Sequence, residues 1–356
     1  MTAGDPAAVG LGLVGVGRWG MRLGAAAGRA EGVRVARCFA RDAGARAAAA
    51  EELGCRPAAS LEALLKDPEV EGVVLATPNH AHESLAVAAA GHGKHVFVEK
   101  PIATETAAAE RMAGACRAAG VALQVGHCFR RLGASRAAAA LVAQGALGKV
   151  VLAEASFSLP GAFAPGNWRA SRDTLEGGPL IQLGVHHADT LLAWLGPAVR
   201  VSGSLARLAA EVDIDDVAVA VLEHASGARS IVACSYVSPR TYRLRLYGTE
   251  ANLELRTDMR LWPNAERMDA GTTLTLERGA ETEAVPFEPR DMLVDELEAF
   301  ARSVRTGAEP ETGAAAGMAA LEVVLGAVRS SRSGGAGQPL AAAAPAQGTR
   351  MDAGRV

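Results

Sequence analysis

Three short stretches of the 356-residue chain combine residue types that are common in enzyme sites. A glycine-rich stretch spans residues 15–20, a Glu-Lys-Pro sequence spans residues 99–101, and residues 176–189 hold two adjacent histidines behind a glycine pair. Glycine-rich turns can bind phosphates, and lysine and histidine can exchange protons when their surroundings adjust their pKa values. The chemistry to consider is therefore proton transfer beside a bound phosphate group.

The pattern Gly-x-Gly-x-x-Gly occurs in two overlapping registers, which begin at Gly10 and at Gly15. A dinucleotide-binding turn follows a strand and opens a helix, because phosphate oxygens accept hydrogen bonds from free N–H groups at the helix N-terminus. Only the second register has an apolar run before it and a helix-forming stretch after it. A tight turn without a ligand is the alternative for the pattern taken alone. We predict that the pyrophosphate is bound by Gly15, Gly17, Arg18, Trp19 and Gly20.

The end of the second strand candidate, residues 33–39, selects between NAD and NADP. A carboxylate there binds the ribose 2′-hydroxyl of NAD, whereas a nearby arginine accommodates the 2′-phosphate of NADP. If Ala40 is the deciding residue, no acid is available and Arg41 favours NADP. If the register slips by two residues, Asp42 is the carboxylate that binds the ribose of NAD. A third interpretation is that Arg41 and Asp42 only open a surface helix. We predict NADP, with NAD as the alternative.

Glu99, Lys100 and Pro101 end a further strand candidate, residues 95–99. Ligands of open α/β sheets bind outside the carboxyl ends of the strands, so Lys100 is expected to point at the nicotinamide. Partial burial and a neighbouring positive charge lower the pKa of a lysine, which suits proton exchange with a hydroxyl during hydride transfer. The alternative is a surface lysine in a loop that leaves the strand.

Gln182, His186 and Asp189 follow each other at spacings of four and three residues, which places them on one face of a helix. Histidine has a near-neutral pKa and can orient a substrate hydroxyl or share its proton. The alternative is a core histidine whose hydrogen bond is satisfied by Asp189.

Strand-like runs alternate with helix-forming stretches over about the first 130 residues, a spacing typical of βαβ units and a parallel sheet. The strand candidates are residues 9–14, 33–39, 70–76, 95–99 and 121–126. The helix candidates are residues 18–30, 43–53, 82–91 and 104–119, the last with Thr104 as its cap.

Beyond residue 148 successive strand-like runs predict an α+β unit with a mostly antiparallel sheet. The runs are residues 150–158, 199–208, 217–223, 228–235, 242–247 and 252–256. Helices are predicted at residues 186–195, 292–304 and 314–330. The predicted division is a dinucleotide-binding domain at residues 1–128, on which the C-terminal helices can pack, an α+β domain at 129–341, and a flexible tail at 342–356.

Composition excludes several classes of protein. The formal net charge is −3 with interspersed signs, so the basic excess of a nucleic-acid binder is missing. We expect no membrane span and no secretory signal. The five cysteines are odd in number and form no Cys-x-x-Cys pair, which favours a reduced compartment and a cytoplasmic protein. His80 and His82 lie too close together for a simple two-ligand site on a helix, and we predict no metal.

In this order and at these distances, the glycine turn, Glu99-Lys100-Pro101 and the Gly-Gly…Gly-x-His-x-x-Asp stretch resemble the Gfo/Idh/MocA family over about residues 8–330. The resemblance implies a Rossmann domain followed by an α/β domain whose open sheet commonly forms the oligomer interface, here a homodimer or homotetramer. It implies that Lys100 is the catalytic lysine, that His186 is the catalytic, substrate-binding histidine, and that the Lys-Pro bond is cis. It also implies cofactor contacts from the turn after the fourth strand, namely Thr77, Pro78, Asn79 and His82.

One residue departs from the family pattern. The position four before the histidine is typically Asp and here is Gln182, which forms hydrogen bonds but does not take up a proton at neutral pH. We therefore predict that Gln182 positions substrate while Lys100 and His186 carry the proton. The resemblance matches Trp168-Arg169 to a Trp-Arg pair that usually lies near the nicotinamide, and Arg130 to an arginine after the sixth strand. The further predicted substrate contacts are His127, His187, Arg130, Trp168 and Arg169.

Together these features predict an NAD(P)-dependent dehydrogenase or reductase of a secondary hydroxyl or ketone in a sugar, nucleotide sugar or cyclitol. One alternative is transient oxidation with a retained cofactor, which gives net epimerisation or glycoside cleavage. The other is a non-catalytic dinucleotide-binding regulator on the same fold. Specificity is expected to rest on loops such as residues 158–172 and 129–136, and the loop at residues 157–168 is expected to border the substrate pocket.

Overall fold

A computed structural model describes residues 8–161, 168–171 and 176–340. Its first layer is a six-stranded parallel sheet with the strand order β3-β2-β1-β4-β5-β6. The strands are β1 (Val9–Val14), β2 (Val33–Phe39), β3 (Arg56–Pro57), β4 (Gly72–Leu75), β5 (His95–Glu99) and β6 (Leu123–Gly126). Every residue of β1, β4 and β6 is buried, because helices cover both faces of the sheet. Strand addition reverses direction between β1 and β4, and ligands of such sheets bind outside the carboxyl ends at that point.

Five helices connect these strands. They are α1 (Arg18–Ala27), α2 (Ala43–Glu52), α3 (Leu61–Lys66), α4 (His82–Gly91) and α5 (Thr106–Ala118). The predicted parallel sheet is confirmed, although α3 and the short β3 were not predicted. The prediction of Thr104 as a helix cap is wrong, because α5 begins at Thr106 and its N-cap residue is Glu105, without a side-chain capping bond.

A second sheet of nine strands follows, with the order β14-β13-β12-β11-β7-β10-β9-β8-β15. All neighbours in it are antiparallel except β7 and β10, so the predicted mostly antiparallel sheet is confirmed. The strands are β7 (Val150–Ser158), β8 (Ala198–Ala206), β9 (Val217–His224), β10 (Arg229–Ser235), β11 (Thr241–Gly248), β12 (Asn252–Thr257), β13 (Thr272–Arg278), β14 (Glu281–Ala284) and β15 (Gln338–Pro339). The strands β13, β14 and β15 and the helix α6 (Gly133–Ala143) were not predicted.

Strand alternation gives this sheet one buried face and one accessible face. In β11, Leu244 and Leu246 are buried, whereas Arg243 and Arg245 lie on the other face and form ion pairs with Glu254 of β12. Helix α7 (Val185–Leu195) packs on the buried side. The accessible face is open among the residues that the structure describes.

The C-terminal helices α8 (Met292–Thr306) and α9 (Ala314–Arg332) pack back on the first sheet. Phe300 of α8 packs edge-on against Phe97 of β5, with ring centroids 5.9 Å apart. In α9, a Cβ on Gly317 would lie 2.6 Å from Val125 of β6, and a Cβ on Gly326 would lie 2.6 Å from Val201 of β8. Helix α9 therefore contacts both sheets, with a glycine at one close approach to each.

Helix α9 is also long and apolar enough to span a membrane, by length and composition alone. It has 19 residues, and 56% of its most apolar window is buried inside the protein. A core helix of a folded protein meets the same criteria, and contacts with both sheets account for the apolar composition of α9.

Candidate active site

The glycine-rich turn joins β1 to α1, and its glycines meet different surroundings. Gly15 has a φ of +96°, and a Cβ there would lie 2.5 Å from the carbonyl oxygen of Ala76. A Cβ on Gly20 would overlap the carbonyl oxygen of Gly15, whereas a Cβ on Gly17 would meet no atom within 4 Å. Gly15 makes the turn, Gly20 permits close helix packing, and Gly17 leaves space at the helix N-terminus, as in pyrophosphate-binding turns. In the alternative register, the first two glycines, Gly10 and Gly12, lie within β1.

The residues predicted to select the cofactor follow β2, and their side chains have different surroundings. Asp42 is the N-cap of α2, and its carboxylate accepts a hydrogen bond of 2.6 Å from the main-chain N–H of Ala45. Arg41 is exposed, and among the described residues its guanidinium has no hydrogen bond or ion pair. Ala40 supplies no acid. The carboxylate that a slipped register would use for NAD is therefore engaged in capping, whereas the arginine is available.

The turn after β4 carries polar atoms that lack partners. Thr77 Oγ1 and Asn79 Nδ2 are buried and have no hydrogen-bond partner among the described residues. Buried polar atoms of this kind cost free energy unless a ligand or water satisfies them. These atoms lie beyond the carboxyl end of β4, where a dinucleotide is expected, and so they fit that ligand.

His82 supports the same turn from inside the protein. Its ring is fully buried, with Nδ1 3.0 Å from the carbonyl oxygen of Pro101 and Nε2 3.1 Å from that of Thr77. Burial lowers the pKa of His82 to about 4, so the imidazole is neutral and has one N–H to donate. The ring thus joins the turn after β4 to the turn after β5, and it does not face the open edge of the sheet.

Lys100 lies just beyond the carboxyl end of β5, and its side chain reaches the second half of the chain. Its Nζ donates a hydrogen bond of 3.0 Å to the main-chain carbonyl oxygen of Gln182. The Lys100–Pro101 peptide bond is cis, as the family resemblance implies. Burial lowers the pKa of Lys100, Glu99 opposes this change, and Arg169 adds to it. Lys100 therefore loses its proton more readily than an exposed lysine does.

The buried carboxyl group of Glu99 lies next to Lys100. Its Oε1 accepts a hydrogen bond of 2.5 Å from the indole N–H of Trp19, and its Oε2 accepts one of 3.2 Å from the main-chain N–H of Lys100. The paired residue on β6 is Gly126, where a Cβ would lie only 2.8 Å from Oε1. Burial raises the pKa of Glu99 to about 7, although Lys100 and Trp19 act to lower it. This carboxyl group therefore titrates in the neutral range.

The third stretch forms a π-helical turn, Leu180–Gly184, which continues into α7. Gln182 and His186 are buried here, and Gln182 Nε2 and His186 Nδ1 have no hydrogen-bond partner among the described residues. Burial lowers the pKa of His186 well below its ordinary value, and the charge of Lys100 lowers it further. The site thus offers an amide and a neutral imidazole near the lysine, and both can form hydrogen bonds with hydroxyl groups.

Asp189 pairs with Arg130 and does not hold His186. Arg130 donates from Nε and Nη2 to the two carboxylate oxygens of Asp189, at 2.5 and 2.7 Å. His127 Nε2 lies 3.7 Å from the same carboxylate, and burial lowers the pKa of His127 to about 4. The hypothesis that Asp189 satisfies His186 is therefore wrong, because a buried bidentate ion pair already occupies the carboxylate.

Aromatic rings stack on one another from the glycine turn into the second sheet. Most of these residues were not predicted from the sequence to belong to the site. The ring centroids of Trp19 and Trp262 are 5.2 Å apart, those of Trp262 and Phe129 are 5.6 Å apart, and those of Phe129 and Tyr242 are 4.2 Å apart. The ring of His187 packs against Tyr242 at 4.6 Å. No local pattern marks these residues, because each partner comes from a distant part of the chain.

Trp168 and Arg169 lie in a short helical turn. The guanidinium carbon of Arg169 lies 4.1 Å from the centroid of the Trp168 ring. The loop predicted to border the pocket, residues 157–168, includes residues outside those that the structure describes, namely 162–167. The predicted tail at 342–356 also lies outside the described residues.

Comparisons with known proteins agree with this geometry. Residues 9–127 match the oxidoreductase family with an NAD-binding Rossmann fold, and residues 135–254 match the GFO/IDH/MocA C-terminal domain. The chain is 30% identical over 329 residues to D-xylose 1-dehydrogenase (NADP(+)) 2 from Haloferax volcanii, covering 91% of this chain and 98% of that protein. The chain belongs to the GFO/IDH/MocA family.

Two further relatives of this GFO/IDH/MocA protein cover nearly the whole chain. It is 28% identical to 1,5-anhydro-D-fructose reductase from Ensifer adhaerens, over 87% of this chain and 92% of that protein. A crystal structure from Desulfitobacterium hafniense, assigned as an NADPH-dependent oxidoreductase, superposes with a TM-score of 0.90 at 33% identity, over 93% of this chain and 97% of that chain. The protein is accordingly an NAD(P)-dependent oxidoreductase.

The GFO/IDH/MocA site is not built around a metal cluster in the part of the chain that the structure describes. Within residues 8–161, 168–171 and 176–340, no three His, Cys, Asp or Glu side chains are placed to hold a metal ion. His80 is exposed, whereas His82 is enclosed between two carbonyl groups.

Proposed function

We propose that this protein transfers a hydride between the nicotinamide of NADP or NAD and a secondary hydroxyl, or its ketone, in a sugar, nucleotide sugar or cyclitol. The observation that carries the proposal is the contact between Lys100 Nζ and the carbonyl oxygen of Gln182, beside the neutral His186. It supports a role in proton exchange for this amine, which lies at the carboxyl edge of the first sheet. Two relatives named for D-xylose and 1,5-anhydro-D-fructose support a sugar as substrate.

In this proposal, the bound nicotinamide supplies or accepts the hydride, and the protein handles the proton. During reduction of a ketone, the ammonium of Lys100 donates a proton to the developing alkoxide and is reprotonated from solvent. During oxidation, the neutral amine removes the proton of the hydroxyl. The lowered pKa of Lys100 makes the neutral amine easier to form than in an exposed lysine, and His186 orients the reacting oxygen without a competing charge.

The remaining predicted substrate contacts divide into two groups. Gln182, His127 and His187 are buried side chains that carry no charge near pH 7, since burial lowers the pKa values of both histidines to about 4. They suit a substrate with several neutral hydroxyl groups. Arg130 acts through Asp189, which it holds in place. Trp168 and Arg169 complete the proposed substrate site.

The cofactor contacts are proposed from the same geometry. Gly15, Gly17 and Gly20 form the pyrophosphate turn, with Arg18 and Trp19 between the last two. Thr77, Pro78 and Asn79 border the cofactor, as do Glu99, Lys100 and Pro101. We propose a preference for NADP because the guanidinium of Arg41 is available beside Ala40 while Asp42 caps α2.

We also propose a homodimer or homotetramer that forms through the open face of the second sheet. Two valines of β9 are exposed there, and water-exposed apolar side chains grouped on one sheet face favour association with another chain. They are Val219 and Val221, which alternate with the buried residues Ala218, Ala220 and Leu222. A cytoplasmic location is supported by the free thiols of all five cysteines.

The test begins with fluorescence titrations of NADPH and NADH and with competition by NADP⁺ and NAD⁺. Turnover is then assayed with D-xylose and NADP⁺, with 1,5-anhydro-D-fructose and NADPH, and with a panel of polyols. We expect exchangeable binding, and turnover that Lys100→Ala abolishes while cofactor binding persists. Binding without turnover of any polyol would favour a regulator, and a cofactor released only on denaturation would favour transient oxidation.

A further inference from the structure

Trp19 directs its indole into the protein, although it stands in the turn that is expected to face the cofactor. The residue lies in the first turn of α1. Its Nε1 donates a hydrogen bond of 2.5 Å to Oε1 of Glu99, a residue on a different strand of the sheet. The side chain therefore links the glycine turn directly to the strand end that carries Lys100.

The orientation of this indole is held by the second half of the chain. Trp262 stacks on Trp19 with an angle of 20° between the rings, and Phe129 stacks on Trp262 with an angle of 7°. The guanidinium carbon of Arg22 lies 5.5 Å from the centroid of Trp19 and 5.9 Å from that of Trp262. These contacts hold the ring plane, and with it the direction of the N–H bond, toward Glu99.

We propose that Trp19 is a positioning residue for Lys100, because its indole N–H holds the carboxylate of Glu99 in the charged form beside the lysine ammonium. The inference rests on the proposed role of Lys100 in proton transfer. A hydrogen bond to a carboxylate stabilises the ionised form over the neutral form. A nearby negative charge in turn stabilises the ammonium of Lys100.

Other groups near Lys100 and Glu99 do not replace this carboxylate. Burial keeps the nearby histidines and the thiol of Cys128 neutral, and it raises the pKa of Glu296 well above its usual range, so these groups add little charge near pH 7. Arg169 is the neighbouring permanent cation and lowers the pKa of Lys100. The titratable and charged groups that act on Lys100 or Glu99 are His82, His127, Cys128, Arg169, His186 and Glu296.

The test measures the pKa of Lys100 directly and needs no substrate. The chain has only four lysines, Lys66, Lys94, Lys100 and Lys149, so competitive acetylation with acetic anhydride across a pH series can be read for each by mass spectrometry. Wild type is compared with Trp19→Phe, which keeps a ring for stacking and removes the N–H donor. The matched control is Trp262→Phe, which keeps a ring stacked on Trp19 and leaves both partners of the hydrogen bond to Glu99 in place.

We expect the apparent pKa of Lys100 to fall by about half a pH unit in Trp19→Phe, since a weaker hydrogen bond leaves more of Glu99 protonated where the lysine titrates. The other three lysines and the Trp262→Phe control should be unchanged. In a Glu99→Gln background, which already lacks the charge, adding Trp19→Phe should produce no further shift.

Two results would overturn the inference: an unchanged Lys100 pKa in Trp19→Phe, or a shift of equal size when Glu99 is already glutamine. If Trp19→Phe does not fold, Glu99→Gln alone decides, because an unchanged Lys100 pKa there removes the premise. The proposed function fails separately, through retained turnover in Lys100→Ala. That outcome would leave the measured link between Trp19 and Lys100 in place while removing its catalytic meaning.

Discussion

Replacing Gly17 by alanine should weaken dinucleotide binding without weakening the fold. Gly17 has φ −69° and ψ 179°, a conformation that any residue adopts, and a Cβ there would meet no protein atom within 4 Å. The free energy of unfolding should therefore stay the same or rise by up to about 1 kcal/mol, because alanine restricts the unfolded chain more than glycine does.

The added methyl group would instead occupy the space proposed for the pyrophosphate. Forcing a methyl-sized group into a filled contact costs roughly 1–3 kcal/mol. That cost corresponds to a weakening of about 5- to 150-fold in the Kd for NADPH. Urea unfolding of the protein without added cofactor gives the first quantity, and titration of NADPH fluorescence gives the second.

Gly20→Ala is the matched control within the same turn. A Cβ on Gly20 would overlap the carbonyl oxygen of Gly15, so this variant should lose stability as well as binding. Gly17→Ala protein that binds NADPH as tightly as wild type would refute the placement of the pyrophosphate. A large loss of stability in Gly17→Ala would refute the claim that the space beside it is empty of protein.

Three further predictions use other parts of the site. Arg41→Ala should weaken NADPH binding by about 10- to 150-fold and leave NADH binding nearly unchanged, because a charge-assisted contact to the 2′-phosphate is worth roughly 1.5–3 kcal/mol. Equal losses for both cofactors would contradict this role. Because the pKa of Lys100 is lowered, the oxidation rate should rise with pH and level off below the pH at which an ordinary lysine titrates. A Lys100→Arg variant that keeps the same pH profile would exclude Lys100 as the base. Asp189→Ala should cost about 3–5 kcal/mol of stability in urea unfolding, because Arg130 would remain buried and unpaired, whereas a loss below about 1 kcal/mol would show that the ion pair relaxes easily.

Much of the first sheet could be predicted from local patterns. The observed β1, β2 and β5 have the predicted bounds, because strands covered by helices on both faces leave short, nearly continuous apolar runs in the sequence. The six-residue α3 and the two-residue β3 were missed because they are too short for any period to be recognised. Thr104 resembled a cap in composition, but the chain enters α5 two residues later.

The candidate site was predictable where its function depends on position along a strand or turn. The glycine turn and Lys100 each come directly after a recognisable strand, so the general rule for open sheets places them at one edge. Asp42 shows the limit of that approach. As a sequence neighbour of Arg41 it could serve either the ribose or the helix, and only the hydrogen bond to the N–H of Ala45 assigns it to the helix.

The sequence by itself determined the alternation of strands and helices over about the first 130 residues, the glycine turn and the chemical types available for proton transfer. Only the tertiary structure decided how those groups are paired. Lys100 donates a hydrogen bond to a carbonyl group 82 residues away, and Trp19 donates one to Glu99, 80 residues away. Arg130 pairs with Asp189, 59 residues away. Such partners are selected by the register of the sheets and by the free-energy cost of burying an unpaired charge. The local sequence around each partner contains neither kind of information.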